Sequence, residues 1–246
     1  MIDRARELVE KSVRPVVFTG AGMSRESGMR TFRGEDGLWK DFDPEKLSSI
    51  RGLVEDPGTV WEWYRMRFMK TEGVKPHRGY IALTALQSRK GSLPVVTQNV
   101  DGLHRESGQR DVLEIHGSMR SASCIRKCGF TRELDRELVQ SLPPLCPECG
   151  AVLRPDIVLF GEPLPHELIS RAYSLAEECD LMIVVGTSVQ VWPAAGVPFT
   201  AIENGAYIIE INPDPSELSG SDRVISIRGK AGEVLPLLME KLQENL

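Results

Sequence analysis

The chain has 246 residues, of which 41% are hydrophobic and 26% charged, a composition that is ordinary for a globular protein with a sizeable core. Its formal net charge of −5 provides no overall basic field that would attract nucleic acid or an anionic membrane surface. The longest apolar run, LMIVV at 181–185, is far shorter than the roughly 20 residues that span a bilayer. Since the charged N-terminus does not resemble a secretion signal either, we expect a cytoplasmic protein that binds neither membrane nor nucleic acid directly.

Apolar, β-branched runs alternate with helical patterns along the chain. Six runs are predicted to be strands buried on both faces, at 15–20, 93–98, 111–117, 181–188, 206–213 and 223–229. Helical patterns are found at 1–12, 58–70, 76–90, 166–178, 193–204 and 230–245. This alternation predicts an α/β fold with a doubly wound, parallel, Rossmann-like sheet, which binds ligands at the carboxyl ends of its strands.

Two segments interrupt the alternation. We predict a Rossmann-like domain composed of residues 1–28, 91–117 and 156–246, with two inserted modules. Residues 29–90 would form a loop followed by a helical module, and residues 118–155, which contain paired cysteines, would form a metal-binding module. The two modules are expected to pack together as a smaller lobe.

The first predicted strand runs into a glycine-rich turn, GAGMSRESG at 20–28. Glycine allows the backbone to approach a phosphate, and the start of a helix supplies free N–H donors. However, Arg25 replaces the third glycine of the dinucleotide-binding pattern G-x-G-x-x-G. The turn is therefore as compatible with a tight turn alone as with a dinucleotide site.

A glycine-flanked arginine follows in Phe32-Arg33-Gly34. On a loop just after a phosphate-binding turn, this arginine could fold over a ligand. The alternative is a surface loop with a solvated arginine.

Polar side chains follow two of the predicted strands at the same edge of the sheet. Thr97, Gln98, Asn99 and Asp101 lie where one strand ends, and His116 ends the next. Amides and a carboxylate can bind ribose hydroxyls and a carboxamide, and an imidazole with a pKa near 6.5 can accept a hydroxyl proton. The alternatives are helix capping by Asn99 or Asp101 and a structural role for His116.

Four of the five cysteines form two close pairs, Cys124 with Cys128 and Cys146 with Cys149. Four thiolates in this arrangement match a tetrahedral zinc site with no position left for water. Such a closed site is structural, because it stabilises a lobe that is too small to have its own core. The acidic chain argues against the alternative of a zinc ribbon that binds nucleic acid.

The predicted helix VWEWYRMRFMK at 60–70 carries Tyr64 and Arg67 on one face, because they are three residues apart. Together they could present a hydroxyl and a guanidinium to a carboxylate. The alternative is an ordinary amphipathic helix.

The order of these motifs is more specific than any one of them. GAGMSRESG, FRG, TQNVDGLH, HG, two cysteine pairs, RPDIVLFGE, GTSVQVWP and INPDP together resemble the sirtuins, the NAD-dependent protein lysine deacylases, from about residue 15 to about residue 235. The resemblance implies that the protein removes acyl groups from lysines of proteins bound as extended peptides, with nicotinamide and O-acyl-ADP-ribose as products. It also implies one structural zinc ion, held by the four paired cysteines.

The resemblance assigns roles to individual residues. His116 would be the catalytic base, and Asn99 and Asp101 would act beside it. The implied NAD-binding residues are Gly20, Ala21, Gly22 and Ser24 at the phosphates, Phe32 and Arg33 on the cofactor loop, Gln98, Asn99 and Asp101 at the ribose and nicotinamide, and Gly186, Thr187, Ser188, Asn212, Pro213, Asp214 and Ala231 at the adenosine end. The peptide would lie between the stretch from Val189 and the segment that contains Val158, Phe160, Gly161 and Glu162.

The resemblance also bears on the acyl group. In the sirtuin branch that removes succinyl and malonyl groups, a Tyr-x-x-Arg pair contacts the acyl carboxylate, and Tyr64 and Arg67 fit this pattern. It therefore implies that succinyl-lysine and malonyl-lysine are good substrates and that acetyl-lysine is also accepted.

The chain departs from the family pattern at three places. Arg30 stands where a proline is usual, Val100 replaces an isoleucine, and three residues instead of two separate Cys124 from Cys128. Two other functions are compatible with the same scaffold, namely protein mono-ADP-ribosylation and non-catalytic binding of NAD and peptides. His116 and the complete FGE segment favour the deacylase.

Overall fold

The computed structural model describes residues 1–32, 34 and 37–240. Its strands are β1 (Pro15–Thr19), β2 (Val95–Thr97), β3 (Val112–Glu114), β4 (Gly117–Cys124), β5 (Thr131–Glu133), β6 (Leu153–Ile157), β7 (Leu181–Val185), β8 (Tyr207–Ile211) and β9 (Val224–Ile227). Its α-helices are α1 (Ile2–Lys11), α2 (Leu38–Asp41), α3 (Pro44–Leu47), α4 (Ile50–Glu55), α5 (Pro57–Thr71), α6 (Arg78–Lys90), α7 (Leu103–Glu106), α8 (His166–Glu178), α9 (Gly196–Glu203) and α10 (Ala231–Met239), and a 3₁₀ helix covers Ala21–Ser27.

The six predicted strands form one parallel sheet in the order β3-β2-β1-β7-β8-β9. Every residue of the central strands β1 and β7 is buried, because helices cover both faces of the sheet. Helices α1, α6 and α10 pack on one face, and α8 and α9 pack on the other. The predicted doubly wound α/β fold is therefore confirmed.

The strand order reverses between β1 and β7. The chain adds β2 and β3 on one side of β1 and later continues with β7 on its other side. In a doubly wound sheet, such a reversal opens a crevice at the carboxyl ends of the two strands. The fold thus places the ends of β1 and β7 where a ligand is expected.

The inserted segments form a second hydrophobic core beside the sheet. Helix α5 packs on an antiparallel sheet of order β5-β4-β6, and Trp61 Nε1 donates a hydrogen bond to the Leu153 carbonyl oxygen at 2.7 Å. The sequence did not predict these three strands, because their residues show little apolar periodicity. The domain boundaries proposed from the sequence remain a prediction. Within the described ranges, no helix combines the length and the apolar character needed to cross a membrane.

Candidate active site

A cavity of about 1650 Å³ opens where the strands of the parallel sheet end, between this sheet and the inserted segments. Most of the predicted site residues line it: Gly20, Ala21, Gly22, Phe32, Arg67, Gln98, Asn99, His116, Val158, Phe160, Gly161, Glu162, Gly186, Thr187, Ser188, Asn212, Pro213, Asp214 and Ala231. Ser24, Tyr64 and Asp101 are buried but do not contribute to its wall. Arg33 lies outside the described residues.

Glycine is required where the turns after β1 and β7 meet. A Cβ atom on Gly20 would lie 2.7 Å from the Thr187 Cβ, and one on Gly22 would lie 2.8 Å from the Gly186 Cα. Gly186 has a φ of 63°, and its own Cβ would lie only 2.2 Å from the Met23 backbone nitrogen. The two turns therefore touch through bare backbone and together form the floor of the cavity.

Ser24 organises the polar side chains that follow β2. Its hydroxyl donates to Asp101 Oδ2 at 2.6 Å. It therefore accepts from Asn99 Nδ2 at 3.0 Å and from the Tyr80 hydroxyl at 2.8 Å. This network turns the amide nitrogen of Asn99 away from the cavity and leaves its carbonyl oxygen for a ligand.

Asp101 has a second structural contact. Its Oδ1 accepts a hydrogen bond from the Leu103 backbone nitrogen at 2.9 Å, at the start of α7. The N-cap residue of α7 is Gly102, so Asp101 supports the helix start from one position before the cap, while Asn99 lines the cavity. Because both carboxylate oxygens have donors, Asp101 shapes the site from behind its wall.

The geometry of His116 matches that of a general base. Its Nδ1 lies 3.1 Å from the Gln98 carbonyl oxygen, which can only accept, so Nδ1 carries the proton and Nε2 has a free lone pair. Burial lowers the pKa of His116, although the contact with Gln98 opposes this shift. The imidazole is therefore neutral near pH 7 and ready to accept a proton.

Arg67 is the most unusual residue of the cavity wall. Only 7% of it is exposed, and its guanidinium carbon lies 4.6 Å from the ring centroid of Phe32 and 5.6 Å from that of Trp63. Burial lowers the pKa of Arg67, yet a guanidinium remains charged at neutral pH. Within the described part of the chain, it makes no hydrogen bond or ion pair. A buried cation in this state is a ready site for an anion.

Tyr64 is not among the residues that line the cavity. It is 1% exposed, burial raises its pKa to about 12, and its hydroxyl lies 2.8 Å from Ser48 Oγ. Ser48 lines the cavity, so Tyr64 contacts one residue of the cavity wall from behind. No sequence signal pointed to Ser48, because the packing of the α3–α4 turn on α5 creates this contact.

The segment 157–162 is held to the rest of the site by its backbone and by one ion pair. The Phe160 nitrogen donates to the Ser48 carbonyl oxygen at 2.8 Å, and the Val158 nitrogen donates to that of His116 at 2.9 Å. Glu162 accepts two hydrogen bonds from the Arg154 guanidinium and one from the Leu159 nitrogen at 2.9 Å. The Glu162 carboxylate is thus used to brace the segment, a role that the sequence did not reveal.

The four paired cysteines come together in the smaller lobe. All their sulfur atoms lie within 4.8 Å of one another, with Cys124 and Cys149 at 3.4 Å and Cys128 and Cys146 at 3.5 Å. Zn–S bonds of about 2.3 Å in a tetrahedron place sulfur atoms about 3.8 Å apart, so the residues fit a structural zinc ion. The additional residue between Cys124 and Cys128 is accommodated because Lys127 adopts a left-handed conformation with a φ of 54°.

Comparisons with known proteins agree with this geometry. Residues 20–193 match the model of the Sir2 family. The NAD-dependent protein deacylase 2 of Pyrobaculum aerophilum is 46% identical over 98% of this chain and 95% of its own length. Among solved structures, a Sir2 homologue mutant in complex with ADP-ribose has a TM-score of 0.92 at 40% identity and covers 100% of this chain and 98% of its own. The protein Sir2Af2 bound to a myristoylated histone peptide has a TM-score of 0.81 at 35% identity, with 99% of this chain and 97% of that chain covered. The sirtuin resemblance is therefore confirmed, and the chain belongs to the Sir2 family of NAD-dependent protein deacylases.

Proposed function

We propose that this deacylase prefers lysine acyl groups that end in a carboxylate, namely succinyl and malonyl, and also accepts acetyl. The observation that carries the proposal is the buried guanidinium of Arg67, which lines the cavity without an ion pair or hydrogen bond in the described residues. A buried charge without a counter-charge is costly, and a bound carboxylate offsets that cost. One charge-assisted hydrogen bond contributes about 1.5–3 kcal/mol, which is roughly a 10- to 150-fold preference in kcat/KM.

The proposal places the two substrates at different ends of the cavity. We assign the adenosine end of NAD to the segment 212–214 and the turn 186–188, and its phosphates to the turn 20–22. Bound NAD supplies an ADP-ribosyl group with nicotinamide as the leaving group. Asn99 offers its carbonyl oxygen at the opposite end, and His116 Nε2 accepts a proton from a hydroxyl group.

The acylated protein is proposed to bind as an extended peptide between the segment 157–162 and the segment 189–193. Residues 157–162 and 190–193 line the cavity, and each of these stretches contains an exposed aromatic side chain, with Phe160 40% and Trp192 67% exposed. The related Sir2Af2 was solved with a myristoylated histone peptide, which supports an acylated peptide as the ligand. We also propose a cytoplasmic location, on the sequence features given above.

The names of the relatives favour deacylation over the two alternatives, protein mono-ADP-ribosylation and non-catalytic binding. No contact that the described residues make in the cavity favours either alternative, so deacylation of acidic acyl-lysines is the function that the site supports best.

The test compares Arg67→Met with the parent protein on succinyl-lysine and acetyl-lysine peptides of the same sequence. Arg65→Met is the matched control, because Arg65 lies on the same helix but its side chain is 43% exposed and pairs with Glu62 at 2.7 Å. We expect Arg67→Met to lose roughly 10- to 150-fold in kcat/KM for the succinyl peptide and little for the acetyl peptide. Equal losses on both peptides, or a parent protein that prefers acetyl-lysine, would contradict the proposal.

A further inference from the structure

A buried carboxylate lies outside the set of residues assigned above. Glu210 is only 1% exposed, although its neighbours on β8, Ile209 and Ile211, belong to the apolar core. β8 is an inner strand, with β7 and β9 on either side. A carboxylate in such a place is costly unless donors satisfy it, so its presence requires a reason.

Glu210 accepts hydrogen bonds from four residues. Oε1 accepts from the backbone nitrogen of Ser216 at 3.2 Å and from its hydroxyl. Oε2 accepts from the Ser219 hydroxyl at 2.9 Å, from the Ser226 hydroxyl and from Arg228 Nη1 at 3.2 Å. Burial by itself raises the pKa of Glu210, but the hydroxyls of Ser216, Ser226 and Ser219 and the Arg228 guanidinium hold this pKa below its ordinary value. The group is therefore ionised at neutral pH.

These donors hold one segment of the cavity wall. The chain leaves β8, passes along the cavity as residues 212–215, and returns to the Glu210 carboxylate at Ser216. Arg228 reaches the same segment from the end of β9, because its Nη1 also donates to the Asp214 carbonyl oxygen at 3.0 Å. Glu210 and Arg228 thus fix both the far end and the middle of the segment 212–215.

We propose that Glu210 is a positioning residue for NAD. It does not line the cavity, and it acts by holding the segment 212–215 in the conformation that receives the adenosine end. The proposal rests on the adenosine assignment made under the proposed function. A glutamine in its place has one acceptor oxygen, and its NH₂ group would face the donating atoms, so the segment would lose part of its anchor.

The test measures Glu210→Gln in the full-length protein by calorimetric binding of ADP-ribose and by steady-state kinetics. We expect the Kd for ADP-ribose and the KM for NAD to rise about fivefold to tenfold, which corresponds to the loss of one or two hydrogen bonds. The kcat at saturating NAD and the KM for the acyl-peptide should stay unchanged. If Glu210 only supported the fold, its replacement would not change the Kd for ADP-ribose and the KM for NAD while leaving kcat and the peptide KM unchanged.

Asp180→Asn is the matched control. Asp180 also holds backbone, since it accepts from the Val13 nitrogen at 2.7 Å, the Arg14 nitrogen at 3.2 Å and the Ser12 hydroxyl. However, it lies just before β7, at the opposite end of the sheet from the cavity. The control should lower the melting temperature without changing the Kd for ADP-ribose.

The proposal is overturned if folded Glu210→Gln keeps the parent Kd for ADP-ribose, or if Asp180→Asn weakens binding equally. Should Glu210→Gln fail to fold, Ser226→Ala removes a single donor and should raise the Kd about twofold to threefold. An unchanged Kd in that variant also overturns the proposal. Asn212→Ala tests the adenosine assignment separately. If this variant keeps the parent Kd for ADP-ribose, the adenosine assignment is refuted. If Asn212→Ala binds ADP-ribose more weakly while Glu210→Gln keeps the parent Kd, only the positioning role of Glu210 is refuted.

Discussion

The contact between Tyr64 and Ser48 offers a sharp test of how the acyl end of the cavity works. Tyr64 is buried, and its hydroxyl lies 2.8 Å from that of Ser48, which lines the cavity. With Tyr64 as the donor, the Ser48 proton is available to a bound acyl carboxylate. We therefore predict that Tyr64→Phe weakens desuccinylation indirectly, through Ser48.

The size of the loss in kcat/KM in Tyr64→Phe distinguishes an indirect role of Tyr64 from direct contact with the acyl carboxylate. A neutral hydrogen bond contributes about 0.5–1.5 kcal/mol, so Tyr64→Phe should lower kcat/KM for a succinyl-lysine peptide by about twofold to tenfold. A tyrosine that touched the acyl carboxylate itself would form a charge-assisted bond, and its removal would cost roughly 10- to 150-fold.

The assay is a double-mutant cycle on matched succinyl-lysine and acetyl-lysine peptides, with product formation measured by mass spectrometry. The variants are Tyr64→Phe, Ser48→Ala and the combination of both. Because the two hydroxyls act as one unit, the double variant should lose little more than Ser48→Ala alone. A loss above 50-fold in Tyr64→Phe, together with normal activity in Ser48→Ala, would show that Tyr64 contacts the acyl group directly and would refute the indirect role.

Four further measurements follow from the site. Because burial lowers the pKa of His116, the acidic limb of the kcat/KM profile should lie below the ordinary histidine pKa of about 6.5, with activity falling as the base becomes protonated; a limb above 7 would contradict this role. Gly186→Ala should abolish ADP-ribose binding, since its Cβ would overlap the Met23 backbone at a positive φ, and calorimetry on the folded variant checks this. Phe32→Leu keeps the apolar contact but removes the ring over Arg67, so the ratio of succinyl to acetyl kcat/KM should fall about twofold to tenfold in parallel assays. Chelation of zinc should lower the melting temperature by several degrees, and a scan that chelator leaves unchanged would exclude a structural metal.

Much of this protein follows from local pattern. The six strands of the parallel sheet are short, apolar and β-branched, and the residues that end them are polar or glycine, so both the fold class and the ligand-binding edge were predictable. The zinc site was predictable for a similar reason, because two pairs of cysteines need only short spacers to converge on one ion. In both cases the pattern that carries the prediction is a short stretch of sequence, either one strand or one pair of cysteines.

Other features depend on contacts between distant segments. Helical spacing places Tyr64 and Arg67 on one face of α5. It cannot show that Tyr64 lies behind Ser48 while Arg67 lines the cavity. Likewise, the sequence does not show which groups donate hydrogen bonds to a glutamate. Glu162, in the cavity wall, accepts from Arg154, whereas Glu210, in a core strand, accepts from hydroxyl groups and from Arg228.

The difference between the features that the sequence predicted and those that it did not has a physical basis. Periodicity and spacing report the burial that a segment requires, which the chain encodes locally in the polarity of successive side chains. The partner of a buried polar group, by contrast, is set by which surfaces meet after folding, because a hydrogen bond requires two atoms about 3 Å apart. The sequence by itself determined the family, the sheet and the metal ligands, and only the tertiary structure decided which side chains face the ligand and which hold it in place.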